Sequence, residues 1–119
     1  MGKNPVVEKS FRFALRIVRL ARKLQDEKKE YVLSKQLLRS GTAIGALVRE
    51  AEQAESKADF CHKMNISLKE ANETLYWLEL LHESEYLDSS DFDSIHADSE
   101  ELLKILIAIV KSSKSGENA

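Results

Sequence analysis

Leu38-Arg39-Ser40-Gly41-Thr42-Ala43-Ile44-Gly45-Ala46-Leu47-Val48-Arg49-Glu50-Ala51 is the part of this chain from which its fold is most readily predicted. Its apolar residues recur at helical spacing, and two glycines lie four residues apart among other small side chains. Glycine inside a helix costs about 0.5–1 kcal/mol relative to alanine, so Gly41 and Gly45 indicate close packing against neighbouring backbone. We interpret this stretch as the centre of an antiparallel helical bundle.

The composition favours one all-α domain. The 119 residues are 43% hydrophobic and 32% charged, with one proline and four glycines. Such a chain is long enough to bury a core, and Pro5 precedes the first periodic segment. We find no signal peptide, and the longest apolar run, residues 105–110, is too short to span a membrane. The single cysteine, Cys61, favours a reducing, cytoplasmic location.

The apolar periodicity predicts four helices within a single domain, 1–119, at about residues 7–25, 32–54, 57–84 and 91–113, followed by a disordered tail over 114–119. Ser56 and Asp59 fit a capping box before the third helix, and Ser90 is the expected N-cap of the fourth. Short connections make consecutive helices antiparallel neighbours, so we expect an antiparallel up-down four-helix bundle.

The first and third predicted helices each carry a second apolar stripe. A peripheral helix of a monomeric bundle needs only one such stripe, so the surplus predicts assembly with further copies of the chain. The surplus residues are Phe11, Ala14, Leu15, Val18 and Ala21 in the first helix and Ile66, Trp77, Leu80 and Leu81 in the third.

Charge is distributed unevenly, although the net charge is only −2. Residues 1–50 hold 12 Lys and Arg against 5 Asp and Glu, whereas residues 51–119 hold 6 against 15. Cations recur every three or four residues on the first helix and form a basic ridge, which two cations of the second helix can extend. The ridge is Lys9, Arg12, Arg16, Arg19 and Lys23, with Lys35 and Arg39 as its extension.

Three interpretations of the basic ridge stay open from the residues alone. The ridge binds the phosphates of RNA or DNA, or it pairs with the acidic third and fourth helices of an adjacent subunit, or it is a solvated face. The first makes the protein a nucleic-acid-binding protein, and these seven residues its binding site. The second makes it a protein scaffold or assembly module. We favour nucleic-acid binding.

Possible metal and catalytic motifs are weak. Glu79-x-x-His82 has the spacing found in di-iron bundles, and Asp93-x-x-His96 repeats it. A di-iron site also needs inward carboxylates from the other helices, and the first two helices have none at core positions. No serine has a suitably placed base. We therefore predict no metal, no cofactor, no catalytic residue and no enzyme activity.

Three motifs resemble those of a known protein family. They are Arg39-Ser40-x-x-x-Ile44-Gly45-x-x-x-Arg49-Glu50-Ala51, Ser56-x-x-Asp59-Phe60 and Glu70-Ala71-x-Glu73-x-x-Tyr76-Trp77-Leu78. From Phe11 to about Lys114 the chain resembles the bacterial four-helix-bundle family first noticed in intervening sequences of 23S ribosomal RNA genes.

That family is similar to the accessory variability proteins of diversity-generating retroelements. The resemblance implies a ring-shaped homopentamer without enzymatic activity, whose positively charged surface binds nucleic acid and a reverse transcriptase. One position departs from the family pattern, because Leu47 stands where many members carry Asn. Any role of that Asn in partner binding therefore does not carry over to this chain.

Overall fold

Four α-helices form nearly all of the chain that the structure, a computed structural model, describes, namely residues 5–118. They are α1 (Pro5–Lys28), α2 (Leu33–Glu52), α3 (Lys57–Glu83) and α4 (Ser89–Asn118). Each helix packs on the next one in the chain, and α4 closes back on α1 through a looser contact. The predicted all-α, up-down four-helix bundle is confirmed.

The caps explain where α3 and α4 begin. The Ser56 hydroxyl accepts the N–H of Asp59 at 3.0 Å, so the predicted cap of α3 is present. The predicted cap of α4 at Ser90 is wrong. Asp88 takes that role, because its carboxylate accepts the N–H of Asp91 at 2.8 Å, and α4 begins at Ser89.

The C-terminal end of α4 differs from the disordered tail predicted over residues 114–119. The helix continues to Asn118, and Ala119 lies outside the described residues. Once a helix is nucleated, each further residue adds one hydrogen bond, and no proline interrupts the segment after Lys111.

Glu30 organises the turn between α1 and α2. Its buried carboxylate accepts the N–H groups of Val32, Leu33 and Ser34 at 3.1, 3.0 and 2.7 Å. Burial raises the pKa of Glu30, but these donors together outweigh it, and the pKa lies below its ordinary value. The sequence analysis assigned no role to Glu30, so this acidic cap of α2 was missed.

The two glycines of α2 both face α1. A Cβ atom at Gly41 would lie 2.8 Å from the fully buried side chain of Ile17, and one at Gly45 would lie 3.4 Å from the backbone of Ser10. The predicted approach to neighbouring backbone is therefore confirmed at Gly45, whereas the neighbour of Gly41 is a side chain. This close approach fixes the spacing of α1 and α2 and places their outward side chains on one common surface.

Candidate interaction surfaces

The cations of α1 that face α4 pair with carboxylates of the same chain. The pairs are Lys9 with Glu101 at 3.1 Å, Arg16 with Asp98 at 2.5 Å and Lys23 with Asp91 at 3.2 Å. Arg16 also donates to the Ser94 hydroxyl at 2.9 Å. The hydrogen bond to Asp91 and its charge raise the pKa of Lys23. Acidic residues do occupy this part of the basic ridge, but they belong to the chain itself and not to an adjacent subunit.

The other two ridge residues behave differently. Arg12 pairs with Glu8, one turn earlier on α1, and its side chain stays 73% exposed. Arg19 is exposed and has no acidic partner among the described residues. The ridge is therefore nearly balanced by carboxylates along its length, and only Arg19 contributes an unpaired charge.

The two α2 cations do not extend the ridge. Arg39 lies at the seam between α2 and α3, where its guanidinium contacts Glu70 at 3.2 Å and also pairs closely with Glu73. The Glu73 carboxylate in turn accepts the indole N–H of Trp77 at 2.8 Å. Lys35 lies on the side of α2 that faces α1. The structure thus separates the seven predicted site residues onto three different surfaces.

A surface that combines exposed apolar side chains with unpaired cations lies across α1 and α2. Phe11 and Leu15 are 50% and 40% exposed, and the Arg49 guanidinium lies 5.2 Å from the centre of the Phe11 ring. Within the described chain, none of the cations on this surface forms an ion pair. We call it the α1/α2 face, and it consists of Phe11, Leu15 and Arg22 of α1 with Lys35 and Arg49 of α2. Arg19 lies instead beside Lys23 and Asp91, in the groove between α1 and α4.

Helical spacing supports this grouping. Phe11, Leu15 and Arg22 follow one another at intervals of four and seven residues, which keeps them on one side of α1. Lys35 and Arg49 are fourteen residues apart and lie on one line of α2. The hydrogen bond from Gln25 to Ser34 at 3.1 Å sets the register and places Lys35 near the C-terminal end of α1.

The opposite side of the bundle, across α3 and α4, is acidic. His96 lies between two of its carboxylates, 3.3 Å from Glu79 and 3.5 Å from Glu100, and His82 lies 3.6 Å from Glu83. No Lys or Arg of the described residues pairs with them. We call this surface the α3/α4 face, and it consists of Glu79, Glu83, Asp93, Glu100 and the 43% exposed Ile107.

Aromatic stacking holds the α3/α4 face together. The His82 and Phe92 rings are stacked with centres 4.1 Å apart, and His96 lies on Phe92 at 4.8 Å. The weak E-x-x-H motif of α3 and the weak D-x-x-H motif of α4 therefore meet here, but they form a packed seam in which Glu79 pairs across the helices with His96. Among the residues that the structure describes, no group of three His, Cys, Asp or Glu side chains is placed to hold a metal ion.

Comparison with known proteins identifies the family. A family model described as 23S rRNA-intervening sequence protein matches residues 2–108 of the chain. The chain belongs to this family. The family resemblance drawn from the three sequence motifs is thereby confirmed.

One similar solved structure supports the assignment of this chain to the family. It comes from Bacteroides thetaiotaomicron VPI-5482 and is described as a protein with unknown function from the S23 ribosomal protein family. Its sequence is 59% identical, the match covers 89% of this chain and 98% of that chain, and the TM-score is 0.88. No curated protein matches the chain.

Sequence reasoning found some of the residues of this family member's surfaces and missed others. The surplus stripe of α1 correctly indicated the exposed Phe11 and Leu15, but Ala21 of that stripe and Leu81 of the α3 stripe are buried in the core of the chain itself. The α3/α4 face was missed, although its carboxylates recur at helical spacing in residues 79–100, because acidic residues on a helix are usually only solvated. Over the described residues, no helix is long and apolar enough to cross a membrane.

Proposed function

We propose that this member of the family is a non-enzymatic assembly protein that forms a closed homo-oligomer in the cytoplasm. The observation that carries the proposal is the exposure of Phe11 and Leu15 beside each other on α1. Neighbouring apolar side chains that are exposed on a protein surface often mark a site of protein–protein interaction. The family resemblance supports a homopentamer, and head-to-tail contacts between unlike faces close such a ring.

Native mass measurement tests this proposal. A protomer has a mass of 13.5 kDa, and we expect a multiple of it, five for the pentamer, at micromolar concentration. Replacing both Phe11 and Leu15 by Glu should shift the protein to the monomer, because buried charge without a partner destabilises an interface. Val32→Glu, at an exposed apolar residue outside the α1/α2 face, is the matched control. A monomeric wild-type protein would contradict the proposal.

Nucleic-acid binding is a second candidate function, and a specific observation favours it. Arg19, Arg22, Lys35 and Arg49 have no acidic partner in the described part of the chain, so they are available to phosphate groups. The ridge first suggested by the sequence suits this role less well, because α4 already supplies carboxylates to much of it. A reverse transcriptase as partner rests on the resemblance alone.

Charge reversal tests nucleic-acid binding. The triple variant Arg19→Glu, Arg22→Glu and Lys35→Glu should abolish binding to labelled RNA and DNA, since phosphate contacts supply most of the affinity. The matched control reverses Lys69, Lys104 and Lys111, which are exposed and lie outside the α1/α2 face. Wild-type affinity should fall steeply as salt rises. No detectable binding to either nucleic acid at low salt would leave assembly as the only candidate.

A further inference from the structure

We propose that a cleft at one end of the bundle binds a free α-amino acid with a large apolar side chain. The cleft has a volume of about 400 Å³ and lies between the C-terminal end of α1, the α3–α4 turn and the start of α4. Sites for small molecules have volumes of roughly 300–1,000 Å³, so a ligand of this size fits. The lining residues come from one chain, so the site does not depend on the oligomer proposed above.

The way in which α3 ends gives the cleft an apolar floor. Glu85 has a φ of 69°, in the left-handed region, and there the chain reverses. The N–H groups of Tyr86 and Leu87 then both donate to the Leu81 carbonyl, at 2.9 and 3.3 Å. Leu87 thereby turns inwards, and it lines the cleft together with the buried Leu24 of α1. An apolar side chain of a ligand gains free energy when it is buried against these two leucines.

Two rings border the same cleft. The His82 imidazole is fixed in place, because it stacks on Phe92 with ring centres 4.1 Å apart and lies 3.3 Å from the Ser89 hydroxyl. The Tyr86 ring also lines the cleft and is 37% exposed, so it has surface left to cover. Rings offer a large apolar contact area. The cleft therefore suits a branched or aromatic side chain better than a small one.

The charges of the cleft decide what else the ligand carries. Lys23 and Asp91 pair with each other at 3.2 Å, and the Asp88 carboxylate accepts the N–H of Asp91 at 2.8 Å. Lys28 and Glu85 line the same cleft, yet within the described chain neither of them forms an ion pair. The cleft thus presents one cation and one carboxylate that do not meet each other.

A free α-amino acid supplies both missing partners. Its carboxylate accepts a hydrogen bond from the Lys28 ammonium, and its own ammonium donates to the Glu85 carboxylate. A simple anion would also face the carboxylates of Asp88 and Asp91, and a simple cation would face Lys28, so like charges disfavour both. The lining therefore favours a ligand that carries one charge of each sign beside an apolar side chain.

Calorimetric titration of the full chain with leucine and with phenylalanine tests the site. We expect saturable binding of one molecule per chain. N-acetylleucine lacks the ammonium, leucinamide lacks the carboxylate and glycine lacks the side chain, so each should bind about tenfold more weakly or not at all. N-acetylleucine or leucinamide that binds as tightly as leucine would contradict the requirement for both charges.

Two variants test the assignment of the charges. Lys28→Gln and Glu85→Gln change exposed residues, and each should weaken the binding of leucine about tenfold, as the loss of one charge-assisted hydrogen bond does. Lys57→Gln and Glu55→Gln are the matched controls, because these exposed residues lie at the α2–α3 connection, at the other end of the bundle. Both controls should keep the wild-type affinity. Helix content checks that all four variants are folded.

Nuclear magnetic resonance locates the bound ligand. The ring protons of His82 should shift when leucine saturates the protein, whereas those of His62, an exposed residue of the first half of α3, should not. The proposal is overturned if neither leucine nor phenylalanine binds saturably at millimolar concentration. Binding that neither variant weakens, or that leaves the His82 signals unchanged, overturns it as well. None of these results depends on the mass of the oligomer, which tests the proposed function separately.

Discussion

Helix α1 is held on its two sides by different kinds of contact. Towards α2 it meets Gly41 and Gly45, which accept the Ile17 side chain and residue Ser10 at close range. Towards α4 it is joined by the three ion pairs that begin at Lys9, Arg16 and Lys23. Buried close packing resists any change of volume, whereas partly exposed ion pairs contribute at most about 1 kcal/mol each. Helix α2 therefore fixes the position of α1, while the contact with α4 can be weakened without unfolding the bundle.

Adding one methyl group to the α1–α2 seam should produce the largest effect. Gly41→Ala places a Cβ against buried Ile17, and we expect the free energy of unfolding to fall by about 1–3 kcal/mol, as overpacking typically costs. Gly45→Ala is the matched control, because its Cβ meets Ser10 at an ordinary contact distance and gains helix propensity. Urea unfolding of both variants measures the change in the free energy of unfolding. Equal effects would show that the seam adjusts freely at both glycines.

Removing the charge of Glu30 should weaken the start of α2. Glu30→Gln leaves backbone N–H groups of the first turn with poorer acceptors, and we expect a loss of about 1 kcal/mol at pH 7. Glu27→Gln, at an exposed residue nearby, is the control and should change little.

The same residue predicts a pH dependence. The pKa of Glu30 is lower in the folded protein than its ordinary value, so its stabilisation is fully present above about pH 4.5. The contribution is lost as the pH falls through the lowered pKa of the folded state. The difference in unfolding free energy between wild type and Glu30→Gln should therefore shrink below pH 4.5. A difference that grows on acidification would contradict the role of this carboxylate.

The sequence could predict one side of this comparison better than the other. The close packing of α2 against a neighbouring helix follows from local information, because Gly41 and Gly45 lie four residues apart on one helix, but the sequence did not show that this neighbour is α1. The α1–α4 pairs could not be assigned, since the ridge residues do not show which acidic helix lies beside them or whether it belongs to the same chain. Glu30 was also missed, because its acceptor role depends on how the chain turns back after α1.

Breaking one α1–α4 ion pair should have a smaller effect. Arg16 and Asp98 are both partly exposed, so a double-mutant cycle with Arg16→Ala and Asp98→Ala should give a coupling below about 1 kcal/mol. Added salt should reduce this coupling energy. The pair Glu8 and Arg12, which lies within α1 alone, is the reference cycle and should couple by about 0.3–0.5 kcal/mol. A coupling of several kcal/mol would show that α4 anchors α1 as firmly as α2 does.

The smallest predicted effect concerns the turn that follows α1. Lys29 has a φ of 56°, in the left-handed region that costs an L-residue free energy and glycine none. Lys29→Gly should raise the free energy of unfolding by a few tenths of a kcal/mol, after the greater flexibility of glycine in the unfolded chain is offset. Lys28→Gly, one residue earlier and inside α1, should lower it. Thermal melting of the two variants and the wild type measures these opposite changes in stability.

Trp77 gives the molecule a built-in optical probe. It is the single tryptophan of the chain, and its indole N–H donates to Glu73 at the α2–α3 seam, away from both the α1/α2 face and the α3/α4 face. Its fluorescence should therefore change when α2 and α3 separate and should change little when protomers associate. Emission against denaturant thus reports the fold of one subunit, and light scattering on the same sample reports its assembly.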